Sequence, residues 1–280
     1  MRKLALVTVM SLILGLMGVC LVGFAEEEQI AIWNCEPELL TPGVLTVATE
    51  GTYPPFSFVD DRGNLDGLEI RVVKEIARRL GLEYKPVMVK WESLLVGLFA
   101  QQFDMISAAH DITAERQMKI LFSDGWLESG GRLVVREDSP IESVADIEGK
   151  VVGALVASTF AVIAEDLGAA DVRYYKSEAD HLLDVINGNI DGSVTEAIMI
   201  SFAIKQEDMP LRVVPGYLST VQKGLVFRKD QTCLVGAVNQ ALAAMIADGT
   251  YARLLVELIG FDPHPENPIR SNYYYLTEGE

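Results

Sequence analysis

Positive charge is scarce in this chain: 23 Lys and Arg stand against 40 Asp and Glu, for a formal charge of −17. That balance excludes the basic footprint that nucleic-acid phosphates demand. It favours solubility, and a pocket sharing the bias would favour cations. Histidine and cysteine are rarer still, at three each. No group of them has metal-ligand spacing, and neither a Ser/His/Asp set, a phosphate-binding loop nor an internal repeat is present. No metal or other cofactor is expected. His181 and His264 read as surface residues. His110 either lines a cleft or packs, with packing the favoured reading.

Long apolar runs are confined to the start. Arg2 and Lys3 precede an apolar stretch from Leu4 to Val22, and Gly23-Phe24-Ala25 ends it with small residues at the −3 and −1 positions. Residues 1–25 therefore read as a secretory signal, with the acidic run Glu26 to Glu28 after the cut. A retained anchor is the competing reading. Cys20 raises lipidation, which Val19 before it disfavours. The protein is expected to be exported, to a periplasm or the outer face of the cell membrane. In such a compartment Cys35 and Cys233 form a disulfide from the N-terminal arm to a late helix, or remain two free thiols; both readings stand.

What remains, half apolar in composition, alternates strands with helices. Residues 26–43 are a proline-punctuated arm. Val44 to Ala48 is a strand, and two prolines make 50–56 a loop. Leu68, Val72, Ile76 and Leu80 recur every fourth residue, which predicts an amphipathic helix over 67–80 capped by Gly81. Strands at 82–89 and 103–107 flank a helix over 93–101. A second run follows the crossing at Ser129-Gly130-Gly131. Its strands are expected at 132–135, 151–155, 172–175, 190–194 and 211–214, and its helices at 159–168, 178–187 and 196–205. A returning strand at 222–227 leads to helices over 231–248 and 250–259 and a polar tail, 263–280. Such alternation implies α/β architecture with sheets covered on both faces.

The stretch 104–122 organises the rest. A buried strand at Met105 and Ile106 gives way to the small residues Ser107, Ala108 and Ala109, which allow close approach to the backbone. Thr113 then caps a helix start carrying Glu115 and Arg116. Arg116 can fork onto a carboxylate with two parallel hydrogen bonds. The plainer reading pairs it with Asp111 or Glu115.

Several motifs now fall into order: Leu45 to Glu50 before Tyr53-Pro54-Pro55-Phe56, Asn64-Leu65-Asp66-Gly67, Ile112-Thr113-Ala114-Glu115-Arg116, Phe122-Ser123-Asp124, Asp146 to Gly153, Gly188-Asn189-Ile190-Asp191-Gly192 and Asp248-Gly249-Thr250-Tyr251. Over roughly 44–262 the chain resembles the extracellular solute-binding proteins of family 3, the soluble components of ABC importers for polar amino acids. The resemblance implies the two-lobe periplasmic-binding-protein type II fold, with two mixed sheets joined by two hinge strands. Lobe 1 would be 44–128 plus 224–262 and lobe 2 131–218, with hinges at 129–130 and 219–223. The protein would be a monomer that closes on a free amino acid and delivers it to a membrane permease.

Residue by residue, the resemblance makes Arg116 the carboxylate ligand, with Ala108 and Ala109 close by. Ser158 and Thr159 would be hydroxyl residues opening a lobe 2 helix, and Glu196 the acceptor of the α-ammonium where family members usually carry Asp. Tyr53 and Trp91 would be the aromatic pair around the side chain. Ser158 and Thr159 could equally be plain caps, Glu196 a helix-start acid and Trp91 core. Glu50 and Asp111 against one Arg116 leave surplus negative charge, which favours arginine, lysine or ornithine. If Asp111 instead pairs structurally with Arg116, a neutral ligand such as glutamine fits. Ala157 stands where the family often has glycine, which narrows backbone approach. Two other functions share the fold: a sensing module for a membrane receptor, and an exported cyclohexadienyl dehydratase with Glu196 as general acid.

Overall fold

The computed structural model describes residue 35 and residues 37–272. The signal segment 1–25, the question of lipidation at Cys20, most of the arm and residues 273–280 lie outside them. Cys35 is bonded to Cys233 in the helix Thr232–Ala247, with Cα atoms 5.9 Å apart.

Two five-stranded mixed sheets carry the chain. The first runs in the order Glu83–Met88, Val44–Thr49, Met105–Ile106, Val226–Phe227, Leu121–Phe122. Its first three strands are parallel, and Val226–Phe227 pairs antiparallel with both neighbours. The second runs Asp171–Tyr175, Val151–Leu155, Gly192–Glu196, Gly131–Arg136, Leu211–Val213; its first three strands are parallel, and Gly131–Arg136 is antiparallel to both of its neighbours. Helices cover both, giving the two-lobe arrangement of the periplasmic-binding-protein type II fold. The chain passes between the sheets twice, through Leu127–Ser129 outward and Val221–Lys223 on return. These two segments pair antiparallel as a ribbon.

Patterning explains the elements that position the site. The helix Leu68–Arg79 turns Leu68, Val72, Val73 and Ile76 fully inward, each contributing about 1.5–3 kcal/mol by burial. Asp104 is fully buried and satisfied: its carboxylate accepts the Thr46 and Leu40 amides at 2.8 Å, tying the first strand to the third.

The elements differ from the sequence reading in these places. The loop expected at 50–56 contains the short strand Thr52–Tyr53, which pairs antiparallel with Ser57–Val59, itself paired with Leu65–Asp66. The helix after Thr113 is a single turn, Ala114–Gln117, capped by the Thr113 hydroxyl. The strand expected at 190–194 is Gly192–Glu196, so Glu196 ends a strand and caps the next helix. The returning strand breaks into Val221–Lys223 and Val226–Phe227. At the break a Cβ on Gly224 would meet the Phe122 ring at 2.8 Å. The start of the polar tail is anchored rather than loose. Pro263 accepts the Glu128 amide, Ile269 accepts the Gly125 amide, and Asn267 accepts the Gln222 side chain, so the tail lies across the ribbon.

Candidate functional site

The ends of strands and the turns after them deliver residues from both sheets to one gap, as open α/β sheets do at their carboxyl edges. From the first sheet come Glu50, Tyr53, Trp91, Ala108, Ala109, Asp111 and Arg116; from the second come Leu155, Ser158, Thr159, Phe160 and Glu178. Nine of the ten residues named from the sequence thus meet here. Glu196 does not line the gap. It is fully buried behind it, and its Oε2 accepts the Met199 amide at 2.7 Å as the cap of its own helix. Its Oε1 has no hydrogen-bond partner among the described residues.

Arg116 is held by backbone rather than by acids. Its guanidinium donates to the Asp111 carbonyl at 3.1 Å and, across the gap, to the Ala157 carbonyl at 3.3 Å. It lies 5.9 Å from the Trp91 ring centroid. Neither expected carboxylate takes it: Glu115 pairs with Lys119 at 2.8 Å, and the Asp111 carboxylate pairs with Lys223 at 2.7 Å. A guanidinium positioned by carbonyls and without an acid partner among the described residues retains N–H groups for an incoming carboxylate.

Lys223 is the residue sequence reasoning missed. It is 1% exposed, with Nζ on Asp111 Oδ1 and 5.7 Å from each of the Phe56 and Phe160 rings. Burial, the largest single influence, lowers its pKa, but the charges of Asp111, Glu196 and Glu69 and the hydrogen bond to Asp111 together outweigh it and raise the pKa above the usual value. The signal was available, since a lone lysine inside the apolar strand 222–227 needs a buried counter-charge. Asp111 is fully engaged, because its other oxygen accepts the Thr159 hydroxyl across the gap. The surplus negative charge expected at Asp111 is therefore neutralised inside the protein.

The remaining polar groups divide between structural and available. The Ser158 hydroxyl accepts the Ala161 amide at 3.1 Å and donates to the Leu155 carbonyl, which is capping. The Trp91 indole donates to the Val156 carbonyl at 3.0 Å, and Lys176 meets Glu92 at 3.4 Å; both contacts bridge the two sheets' sides. Tyr53 stacks on Phe56 at 5.2 Å. Glu50 is pushed up to about 8 by burial, with Glu178 and Glu69 adding repulsion. Glu69 accepts the Ala109 amide at 2.5 Å and is pushed up to about 7 by burial.

The histidines need correction. His181, expected at the surface, is fully buried: Nδ1 lies 2.7 Å from the Ser193 hydroxyl and Nε2 2.5 Å from Glu178 Oε2. His264 is half-buried, edge-on to Tyr251 at 5.6 Å. His110 packs behind Trp91 at 4.6 Å, and burial keeps it neutral, well below its usual range. Glu178 was also missed. It follows the strand Asp171–Tyr175 at the edge that supplies the rest of the site, but a helix-start acid looks like ordinary dipole complementation.

The fold and a gap built from two sheets define a binding protein that encloses its ligand. The bacterial extracellular solute-binding proteins, family 3, match residues 45–260, and the chain belongs to that family. It is a solute-binding protein that works outside the cytoplasm, not an enzyme. Similar proteins include the L-cystine-binding protein TcyJ of Escherichia coli (strain K12), 30% identical over 89% of this chain and 95% of that protein. ArgBP from T. maritima, in a mutant crystal structure, is 31% identical over 78% of this chain and 96% of that one, with a TM-score of 0.73. An ancestral arginine-binding protein bound to arginine is 29% identical over 78% of this chain and 99% of its own, with a TM-score of 0.72.

Two predictions follow from the buried charges. Lys223→Met leaves Asp111 unpaired and should cost about 3–5 kcal/mol in chemical denaturation; the double variant with Asp111→Asn should lose less than the two singles combined. Glu50 keeps its proton to about pH 8 when folded but releases it near 4.5 when unfolded, so stability falls as pH rises through that window. His110 opposes this only below its ordinary 6.5. The ligand-free thermal midpoint should therefore fall between pH 6.5 and 8, and fall less in Glu50→Gln.

Proposed function

We propose that this protein is the binding component of an ABC importer for polar amino acids and that its ligand is basic: arginine, lysine or ornithine. The observation that carries the reading is the Arg116 guanidinium, fixed by two carbonyls and without an ion pair among the described residues. It receives the ligand carboxylate, with Ala108 and Ala109 beside it. The acidic remainder of the gap receives the positive end. Lobe 1 (44–128 with 224–262) and lobe 2 (131–218) close about the crossing at 129–130 and 219–223. The contacts of Trp91, Thr159 and Arg116 to the opposite lobe hold the closed form, and the ligand adds differential contacts to both sides.

Relatives support amino-acid binding but name different ligands, cystine for TcyJ and arginine for the T. maritima protein and the ancestral one. The ancestral protein also has a structure with glutamine. Cystine is the second reading, favoured by the TcyJ similarity. It carries two carboxylates, whereas among the described residues the gap offers one guanidinium without an acid partner, because Lys223 is taken up by Asp111.

A thermal-shift screen of the twenty amino acids with ornithine, citrulline and cystine tests the assignment. A ligand at about 1,000 times its Kd stabilises the folded form by about 4 kcal/mol. A basic amino acid should give the largest rise. A clear rise with glutamine, an acidic amino acid or cystine, and none with any basic one, overturns it. Arg116→Ala should lower affinity by roughly two to four decades with the fold intact. Near-wild-type affinity in that variant, measured by calorimetry, places the carboxylate elsewhere.

A further inference from the structure

Charge accounting in the gap points past the residues considered so far. Arg116 is the cation open to a ligand. Lys223 already fills an ammonium cage made by Asp111, by the rings of Phe56 and Phe160, and by the fields of Glu196 and Glu69. An internal lysine thus answers for Asp111 and, in part, for Glu196. Two gap-lining carboxylates remain without a lysine or arginine partner among the described residues: Glu50 from the first sheet and Glu178 from the second. They face each other closely enough that Glu178 is the strongest charge acting on Glu50.

Glu178 is also the better held of the two. It is 9% exposed, and its Oε2 accepts the Thr195 hydroxyl at 2.8 Å and lies 2.5 Å from His181 Nε2. Proton counting fixes the rest. Ser193 has one hydroxyl proton and donates it to the Gly153 carbonyl at 2.8 Å. Its oxygen must then accept from His181 Nδ1–H at 2.7 Å. His181 Nε2 is thereby turned onto Glu178 Oε2. The carboxylate is clamped at one oxygen, and Oε1 is left for whatever enters the gap.

We infer that Glu178, acting with Glu50 across the gap, receives the positively charged end of the ligand, and that His181 is the residue that positions it. The inference rests on the amino-acid-binding reading above and names the side-chain subsite within it. The chemistry selected is a distal guanidinium or ammonium on a carboxylate-bearing ligand. Without a ligand, burial and the neighbouring Glu178 keep Glu50 protonated up to about 8, whereas a distal cation between the two walls favours its ionised form. Occupancy of this subsite therefore favours closure, and a ligand with a neutral end gains nothing from it.

Arginine and citrulline separate the possibilities, because they match in length and differ in the charge of the distal group. Calorimetric titrations would use the processed full chain and its Glu178→Gln, Glu50→Gln and His181→Ala variants, with Arg116→Ala for comparison. Glu178→Gln should weaken arginine about 10- to 100-fold, as loss of a hydrogen bond between charged groups does, and change citrulline by less than about 3-fold. Glu50→Gln should act in the same direction. His181→Ala should lower the arginine-to-citrulline ratio, which a merely structural lesion would leave unchanged. Equal losses for both ligands, or no loss of arginine affinity in Glu178→Gln, overturn the inference. So does a wild-type protein that takes neutral amino acids through Arg116 but no cationic one, an outcome that leaves the amino-acid-binding reading standing. Wild-type protein that binds no free amino acid brings down both.

Discussion

The buried pair between Lys223 and Asp111 holds the centre of the molecule together. Lys223 arrives on the returning half of the ribbon, and Asp111 sits in the turn that presents Arg116. Backbone bonds fasten the same two segments: the Ile112 amide donates to the Gln222 carbonyl, and the Gly224 amide to the His110 carbonyl. Asp111 also reaches Thr159 on the opposite side. One carboxylate thus connects the crossing, the turn carrying the guanidinium and the facing helix. An ion pair in such a place gains little over an apolar pair in stability alone. Its effect here is geometric, since it fixes where the free guanidinium stands.

The same pair reorganises the electrostatics. Burial pushes Glu50 to about 8, with repulsion from Glu178 and Glu69 adding to it, and pushes Glu69 to about 7. Asp111 is paired internally with Lys223. The negative charge left facing the gap is therefore smaller than the count of acids suggests.

Much of this was legible in the sequence. Period-four apolar spacing located the helix at Leu68–Arg79, the alternation of elements gave the two-sheet class, and nine of ten proposed site residues converge. The rest was hidden for identifiable reasons. Lys223 is a polar residue whose partner lies 112 residues away in the chain, and such a pair carries no local periodicity. His181 has the composition of a surface residue on an amphipathic helix, and only tertiary packing turns it inward against Ser193. Glu196 and Glu178 illustrate the converse, because both are helix-start acids. One is withdrawn to cap its own helix while the other opens to the gap, and no spacing rule distinguishes them.

The interleaving of the first sheet has a temporal consequence. Its strand Val226–Phe227 lies between Met105–Ile106 and Leu121–Phe122, whereas every strand of the second sheet comes from one unbroken stretch of chain. Synthesis and export both proceed from the amino end, so the inner unit can complete its hydrogen bonds while the outer one still lacks a central member. Contacts of such long sequence separation form late because loop closure must precede them. Assembly is therefore nested: the part made in the middle matures first, and the part made at both ends closes around it last.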